Sequence, residues 1–182
     1  MDLHRLDRSA SALLIVDIQE RLCAAMEPKA VERMIRRAVA LAAGARALGL
    51  PIVASEQYPK GLGPTVAALR EAIPGFAARE KVSFSCASDE VVAALQGRRQ
   101  ILVAGMETHV CVFQTVRDLS ARGLTPYLCA DAVLSRTEED RRVGLELCRG
   151  AGGVVTTVEA ALLDLLGRAG TPEFKAVSAA VK

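Results

Sequence analysis

Short, continuous apolar runs that alternate with longer segments of helical periodicity constrain the fold of this chain more than any other feature. The run at residues 12–16 (Ala-Leu-Leu-Ile-Val) is typical of a strand that is buried on both faces. From Pro28 to Gly49, apolar residues recur at helical spacing, which predicts a long helix. Further strands are predicted at residues 51–54, 81–82, 100–104, 125–130 and 154–156, and a further helix at residues 109–121. Strands that alternate with helices imply right-handed crossovers, so we predict an α/β fold: one doubly wound domain whose parallel sheet has helices on both faces.

The size of the domain and the starts of two helices follow from length and local patterns. The chain has 182 residues, the size of one domain. Thr-x-x-acid patterns at Thr137 and Thr156 predict two helix starts. Because edge strands are rarely apolar on both faces, we expect the strand before Asp17 to be central.

Charge and composition exclude several classes of partner. The 23 basic and 21 acidic residues are interspersed, and the net charge is +2, so no nucleic acid or anionic membrane is expected to bind. Aromatic residues make up only 3%, too few for a platform on which bases stack. No stretch free of charged residues exceeds nine residues, so we expect no membrane span. The first residues also lack the apolar core of a secretory signal.

The cysteines and histidines indicate a reducing compartment and no metal site. Five cysteines occur at wide spacing without a Cys-x-x-Cys pair, which favours free thiols and a cytoplasmic protein. The only histidines are His4 and His109, which makes a zinc site improbable. Most of the cysteines should be small core residues, and the question is whether one of them is not.

Three residues that could take part in catalysis follow predicted strands. In open parallel α/β folds, ligands bind beyond the carboxyl ends of the strands. Asp17 follows the first strand, Lys81 stands at the expected edge strand, and Cys111 follows the strand at 100–104. An acid, a cation and a thiol around one crevice would supply a base, electrostatic support and a nucleophile. Asp131 follows the strand at 125–130 in the same way.

Each of these residues also has a simpler interpretation. Cys111 lies where a helix begins, and a helix amino end lowers the pKa of a thiol and offers N–H donors to an oxyanion. A buried structural cysteine would fit the same position. Asp17 could cap a helix, and Lys81 could be a solvated surface lysine.

Motifs for other chemistries do not occur in the sequence. The turn after the first strand has no glycine-rich phosphate fingerprint, and no Gly-x-Ser-x-Gly elbow occurs. Gln19 stands where a haloacid-dehalogenase phosphatase would need a second aspartate. His109 lies two residues before Cys111, so the two side chains point apart on a helix. We therefore interpret His109 as a pocket or capping residue.

The segments at 14–19 (Leu-Ile-Val-Asp-Ile-Gln), 81–84 (Lys-Val-Ser-Phe) and 105–112 (Gly-Met-Glu-Thr-His-Val-Cys-Val) together resemble the isochorismatase-like cysteine hydrolases. The segment at 56–63 (Glu-Gln-Tyr-Pro-Lys-Gly-Leu-Gly) is similar to a subgroup, the isochorismatase-domain-containing hydrolases. The resemblance runs from about residue 10 to 167, which implies a single domain over residues 1–182 with its core at about 10–167 and a C-terminal tail at 168–182. It also implies a six-stranded parallel sheet.

The resemblance also implies a catalytic triad of Asp17, Lys81 and Cys111. Cys111 would attack a carbonyl, Asp17 would take and return its proton, and Lys81 would order the site electrostatically. A non-proline cis peptide is implied at Met106–Glu107, where it would direct N–H donors, together with Cys111, at the developing oxyanion.

One departure from the family concerns metal. Nicotinamidases of this family hold a metal with an aspartate and histidines after the second strand, where this chain has Glu56, Gln57 and Tyr58. We therefore expect no metal and no cofactor. We also expect a substrate pocket lined by Gln19, Glu56, Tyr58 and His109.

Two functions remain at this point. The first is a metal-independent cysteine hydrolase that cleaves the C–N bond of a small amide-like substrate through a covalent thioester. The alternative is a catalytically silent binding or scaffolding protein that keeps the fold. We also expect a homo-oligomer, a dimer or tetramer, in which Phe174, Val177 and Val181 dock on a partner.

Overall fold

A six-stranded parallel sheet forms the centre of the computed structural model, which describes residues 4–182. Its strands are β1 (Ser11–Val16), β2 (Ile52–Gln57), β3 (Ala78–Lys81), β4 (Gln100–Met106), β5 (Thr125–Leu134) and β6 (Val154–Thr156). Their spatial order is β3-β2-β1-β4-β5-β6, and every neighbouring pair is parallel. The predicted fold class is confirmed, and β1 is central between β2 and β4.

Helices cover both faces of this sheet. They are α1 (Glu20–Ala24), α2 (Pro28–Ala47), α3 (Pro59–Leu62), α4 (Ala67–Ala72), α5 (Asp89–Ala94), α6 (Phe113–Ala121), α7 (Glu138–Gly150), α8 (Val158–Leu166) and α9 (Phe174–Val181). A π-helical turn at Thr108–Val112 leads directly into α6. Within residues 4–182, no helix combines the length and the apolar character needed to cross a bilayer.

The alternation of side chains along β1 builds the two halves of the core. Leu13 and Ile15 face the half that also contains α2, α8 and α9. Leu14 and Val16 face the other half, with α5, α6 and α7. Each fully buried aliphatic side chain of this kind contributes about 1.5–3 kcal/mol relative to exposure. The apolar run therefore fixes β1 in the middle of the sheet, with its carboxyl end at Asp17.

A threonine caps each of the two predicted helix starts, but one cap lies one residue later than predicted. Thr137 Oγ1 accepts a hydrogen bond from Asp140 N at 3.0 Å at the start of α7, as the capping pattern predicted. At the start of α8 the cap is Thr157, whose Oγ1 accepts from Ala160 N at 3.3 Å. The prediction of Thr156 is wrong by one residue, because Thr156 still pairs with β5 as the last residue of β6.

Four strands have bounds that differ from the predicted ones, and β4 ends at Met106 rather than at residue 104. β2 runs to Gln57 rather than ending at residue 54, and β3 occupies Ala78–Lys81 instead of residues 81–82. β5 continues beyond Asp131 to Leu134, with a shift of register opposite Ala104. The changes in β2, β3 and β5 move polar residues from expected loops into the hydrogen-bonded sheet. The positions of these residues near the site are therefore set by strands.

The C-terminal segment belongs to the core. Helix α9 packs on α2 and α8, and Val177 is fully buried in the same cluster as the α2 side chains. Val181 is partly buried against that cluster. The expectation that Val177 docks on a partner is therefore wrong, because its own chain already covers it.

Candidate active site

The carboxyl ends of β1, β3 and β4 bring Asp17, Lys81 and Cys111 together at one edge of the sheet. Lys81 Nζ donates to Asp17 Oδ2 at 2.6 Å. The Cys111 thiol forms a side-chain hydrogen bond with the Asp17 carboxylate. Because β1 lies between the strands that carry the other two residues, the aspartate stands between the ammonium group and the thiol.

Asp17 is a fully buried carboxylate with both oxygens engaged. Its side chain has no exposed surface, and Ser55 Oγ donates to its Oδ1 at 2.8 Å. Burial raises the pKa of Asp17, while the charge of Lys81 and hydrogen bonds from Lys81, Ser55 and Cys111 act in the opposite direction. A carboxylate with a raised pKa is a stronger base, so Asp17 is suited to accept a proton rather than merely to cap a helix.

Lys81 is held as a fixed point charge. In addition to Asp17, its Nζ donates to Gln57 Oε1 at 2.8 Å and to the main-chain oxygens of Ser83 at 3.1 Å and Phe84 at 2.9 Å. Its side chain is only 10% exposed. The interpretation as a solvated surface lysine is therefore wrong: four oxygens surround a group that has three hydrogens to donate.

Cys111 is a nearly buried thiol that is protonated at rest. Burial raises its pKa to about 12, the negative charge of Asp17 adds to the increase, and Lys81 opposes it. This pKa is raised, not lowered as the helix start predicted, because burial removes water from the thiolate. Asp17, the hydrogen-bond partner of this neutral thiol, is placed to take its proton.

The turn that carries Cys111 is anchored at its start. The peptide bond Met106–Glu107 is cis, at the position that the resemblance implied. Thr108 N donates to Ser135 Oγ at 3.1 Å, and Val112 N donates to Glu107 O at 3.2 Å across the wide π-helical turn. These bonds tie the turn to the end of β5.

Two side chains of the turn strengthen this anchor. Glu107 Oε2 accepts from Arg136 N at 3.1 Å and from Arg136 Nε at 3.0 Å. His109 Nδ1 lies 3.1 Å from Ser135 Oγ, and its Nε2 lies 3.9 Å from Asp140 Oδ1. His109 and Glu107 thus hold the nucleophile's turn against the β5–α7 connection.

Helix α7 touches this turn backbone to backbone at Gly144. A Cβ atom at Gly144 would lie 2.7 Å from His109 N and 2.8 Å from the carbonyl carbon of Thr108. No real Cβ makes contacts this short with main-chain atoms. The position therefore requires glycine, and α7 and the turn must move together.

The predicted pocket residues divide into two groups. Gln19 is bonded to the main chain of Gln57 through both side-chain atoms, at 3.0 and 2.8 Å. Glu56 Oε1 accepts from both N and Oγ1 of Thr65 at 2.7 Å. Gln19 and Glu56 therefore organise the segment after β2, whereas Tyr58 is 54% exposed. A pocket role stays a prediction for Tyr58 and His109.

Sequence reasoning missed two residues that touch the triad, Ser55 and Gln57. Both lie on β2 between the strands of Asp17 and Lys81, and Ser55 binds the acid while Gln57 binds the lysine. A period-two pattern continuing from Val53 through Ser55 to Gln57 would have shown that they share a face.

Of the remaining cysteines, Cys86, Cys129 and Cys148 are buried in the core and Cys23 is partly buried against it. Burial raises the pKa of Cys86 and of Cys23 to about 11 and that of Cys148 to about 12, and it raises the pKa of Cys129 further. Cys86 accepts a hydrogen bond from Thr115 Oγ1 at 3.4 Å. Of the five thiols, Cys111 is the one whose side chain is hydrogen-bonded to a carboxylate.

Asp131, the other acid that was expected at a strand end, has different partners. Its Oδ1 accepts from Val158 N at 2.9 Å, which caps α8, and its Oδ2 lies 3.4 Å from Arg37 Nε. Across residues 4–182, no three or more His, Cys, Asp or Glu side chains are grouped so that they could hold a metal ion.

Known proteins are similar to this chain in sequence and in fold. A model of the isochorismatase domain matches residues 11–160. Isochorismatase domain-containing protein 1 of Danio rerio is 38% identical over 183 residues, which cover 99% of this chain and 64% of that protein. Isochorismatase domain-containing protein 2 of the same organism is 35% identical over 178 residues, covering 95% of this chain and 87% of that protein. The solved structure of the MAR1 ribonuclease from Caenorhabditis elegans is 35% identical with a TM-score of 0.90, over 97% of this chain and 92% of that one.

The fold and the site define the class of this protein. It is an α/β domain with a parallel sheet, and an acid, a lysine and a buried thiol meet at the carboxyl edge of that sheet. The match over most of its length shows that the chain belongs to the isochorismatase domain family, and this membership supports a hydrolase. The chain spans 64% of the length of the zebrafish protein 1.

Proposed function

We propose that this protein is a metal-independent cysteine hydrolase that cleaves the C–N bond of a small amide-like substrate. The observation that carries the proposal is the position of the Asp17 carboxylate, which bonds both the Cys111 thiol and the Lys81 ammonium group in a buried site. A nucleophile in contact with its base, and a base held by a third group, is the arrangement of covalent catalysis.

The first half-reaction forms a thioester. Asp17 takes the Cys111 proton as the sulfur attacks the carbonyl carbon, so a C–S bond forms and the carbonyl electron pair moves onto the oxygen. Main-chain N–H groups at Glu107 and Cys111, in the turn after Met106, hold this oxyanion. The tetrahedral intermediate collapses, the C–N bond breaks, and the departing amine takes the proton from Asp17.

The second half-reaction reverses these roles. Asp17 removes a proton from water, whose oxygen attacks the thioester carbon, and the C–S bond breaks. The Cys111 sulfur recovers its proton from Asp17, and the acid is released. Lys81 balances the carboxylate whenever it is ionised, because an isolated buried charge would be costly.

The resting pKa values support this sequence of proton transfers. Burial raises the pKa of Asp17 and raises that of Cys111 to about 12. The neutral thiol and the ionised carboxylate form one hydrogen-bonded pair, so the proton moves only when an electrophile draws electron density from sulfur. Since Cys111 is only 6% exposed, we propose a small substrate, with Tyr58 and His109 near the pocket entrance.

A panel of small amides tests the proposal. Wild type and Cys111→Ala are compared for ammonia or amine release, and rapid quenching followed by intact mass analysis looks for an acyl group on Cys111. We expect turnover by wild type, an acyl adduct, and a loss of at least about a thousandfold in Cys111→Ala, as nucleophile deletions give in other hydrolases. Cys148→Ala is the matched control and should retain turnover.

Two further versions of the same assay test for a metal-dependent activity and for cleavage of RNA. Activity should survive a chelator, and loss with recovery on adding a divalent metal would contradict metal independence. RNA is included as a substrate because the structurally similar protein from C. elegans is called a ribonuclease. The alternative function, a binding or scaffolding protein, would be supported by absence of both turnover and acyl adduct across the panel.

We also propose a homo-oligomer that uses the edge of the sheet beside the site. Val82 is 82% exposed and Phe84 is 54% exposed, and both directly follow β3, the edge strand next to β2. Large exposed apolar side chains that cluster mark a contact surface. Light scattering should give at least a dimer mass for wild type and a smaller particle for Val82→Ser/Phe84→Ser.

A further inference from the structure

A cavity of about 630 Å³ lies between α2, β5, α7 and α9, separate from the catalytic residues. Its walls carry five basic side chains: Arg33, Arg36, Arg37, Arg141 and Lys182. Two acidic side chains, Asp131 and Glu138, share the walls, and the partly exposed Ala30, Ala180 and Val181 form apolar parts of them. The cavity therefore combines an excess of positive charge with an apolar surface.

Two of the arginines are held in place and use both carboxylates. Arg37 Nε lies 3.4 Å from Asp131 Oδ2, and Arg37 Nη1 donates to Val181 O at 3.0 Å. Arg141 Nη1 lies 2.9 Å from Glu138 Oε1, and Arg141 Nε donates to Val133 O at 3.3 Å. Arg37 and Arg141 therefore already balance the charges of Asp131 and Glu138.

Arg33 and Arg36 remain as charges that the chain itself does not balance. Both lie on α2 on the side that faces the cavity, one turn apart. Neither has a carboxylate partner among residues 4–182. A guanidinium group presents a planar fork of N–H donors that matches the oxygens of a phosphate.

We infer that this cavity is a binding site for a small phosphate monoester with an apolar body. The dianionic phosphate lies between Arg33 and Arg36, and the apolar body lies against Ala30, Ala180 and Val181. A phosphate monoester carries nearly two negative charges at neutral pH, which matches the two unbalanced arginines. The inference does not depend on the proposed hydrolase activity.

Calorimetric titration with phenyl phosphate, at low salt and pH 7.5, tests the site in the full chain. Wild type should bind phenyl phosphate, and Arg33→Gln/Arg36→Gln should lose at least about tenfold in affinity, because charge-assisted hydrogen bonds to phosphate contribute roughly that much or more. Glutamine keeps the helix propensity of arginine. The matched control, Arg149→Gln/Arg168→Gln, removes the same charge from exposed positions outside the cavity and should bind like wild type.

Inorganic phosphate and lipid vesicles complete the titration. Inorganic phosphate should bind more weakly than phenyl phosphate, because it lacks the apolar body. Phosphatidylcholine vesicles with phosphatidic acid present the same monoester on a surface, and cosedimentation that Arg33→Gln/Arg36→Gln abolishes would make a lipid the source of the ligand.

Four outcomes would overturn the inference. Wild type that binds neither phenyl phosphate nor the vesicles would remove the site. Equal losses in the cavity variant and in the control would show a general charge effect, and equal affinity for inorganic phosphate would show an adventitious anion only. A change of particle mass in Arg33→Gln/Arg36→Gln without any phosphate binding would make the cavity a contact between copies of the chain.

Discussion

Asp17 and Asp131 are two aspartates that look alike in the sequence and have different environments in the fold. Each follows an apolar stretch of strand and each is bonded to a cation. Asp17 is fully buried and 2.6 Å from its lysine, whereas the side chain of Asp131 is 28% exposed and 3.4 Å from its arginine. Asp17 contacts a thiol, and Asp131 contacts the first N–H of a helix.

The comparison shows that an acid that follows an apolar run acquires chemistry from what it faces, not from its place in the sequence alone. A buried acid held by a fixed cation has a perturbed pKa and an ordered geometry. An exposed acid bonded to a helix N–H contributes a cap of about 1 kcal/mol. Four experiments separate these two descriptions, from the largest expected effect to the smallest.

Removing the charge of each aspartate should give opposite results for activity. Asp17→Asn keeps the shape but loses the base, and we expect a loss of about a thousandfold or more in kcat/KM on a substrate from the amide panel. Asp131→Asn should remain within about twofold. Adding Cys111→Ala to Asp17→Asn should cost little more, because both residues act in one step. Similar losses in the two asparagine variants would show that the fold, not the site, is being damaged.

Removing the two cations should separate their effects on stability. Lys81→Ala leaves a buried carboxylate unpaired, so we expect the free energy of unfolding to fall by about 3–5 kcal/mol, together with most of the activity. Arg37→Ala breaks a partly exposed pair and should cost about 1 kcal/mol or less. Urea unfolding measures both variants, and equal costs would contradict the difference in burial.

The pH dependence of alkylation should report the Asp17–Cys111 pair directly. The pKa of Asp17 is raised by burial, so its ionised form, which acts as the base, is gained as pH increases through that raised value. Iodoacetamide should therefore label Cys111 faster as pH rises through that value. In Asp17→Asn this dependence should disappear, and the rate should follow ionisation of the thiol itself, whose pKa should fall below the wild-type value because the charge of Asp17, which helps to raise it, is gone. Mass analysis of the labelled peptide follows both rates, and superimposable profiles would remove Asp17 as the base.

The smallest effect should come from the cap. Asp131→Ala removes the acceptor for Val158 N, and we expect the free energy of unfolding to fall by about 1 kcal/mol without a change of kcat/KM. Asp131→Asn keeps an acceptor at this position and serves as the control. A stability loss several times larger would mean that Asp131 supports more of the fold than the start of α8.

The residues proposed to react were predicted from the sequence, and the residues that contact them were not. Asp17 directly follows the apolar run at 12–16, whereas Lys81 and Cys111 were singled out by segments that resemble those of the family. Ser55 and Gln57 were assigned to a loop because polar side chains ended the apolar run at residue 54. They are nevertheless strand residues, because buried hydrogen bonds to Asp17 and Lys81 take the place of apolar contacts.

Two other properties depend on tertiary packing and could not be predicted. The burial of Val177 needs the surface of α2, which is more than a hundred residues away in the chain. The pKa of Cys111 depends on how completely the fold removes water from the thiol, which the local sequence does not show. Local patterns therefore led to Cys111 as the proposed nucleophile but predicted a shift of its pKa in the wrong direction.

The close approach of α7 to the turn of Cys111 has a consequence for protein engineering. Replacing a glycine inside a helix with alanine usually stabilises a protein by about 0.5–1 kcal/mol, so a consensus or stability design would select Gly144→Ala early. Here the new methyl group would press on the main chain of Thr108 and His109, three residues and two residues before the nucleophile. A routine thermostabilising substitution at Gly144 would thus displace Cys111 from Asp17, and this helix position should be kept unchanged in any improved variant.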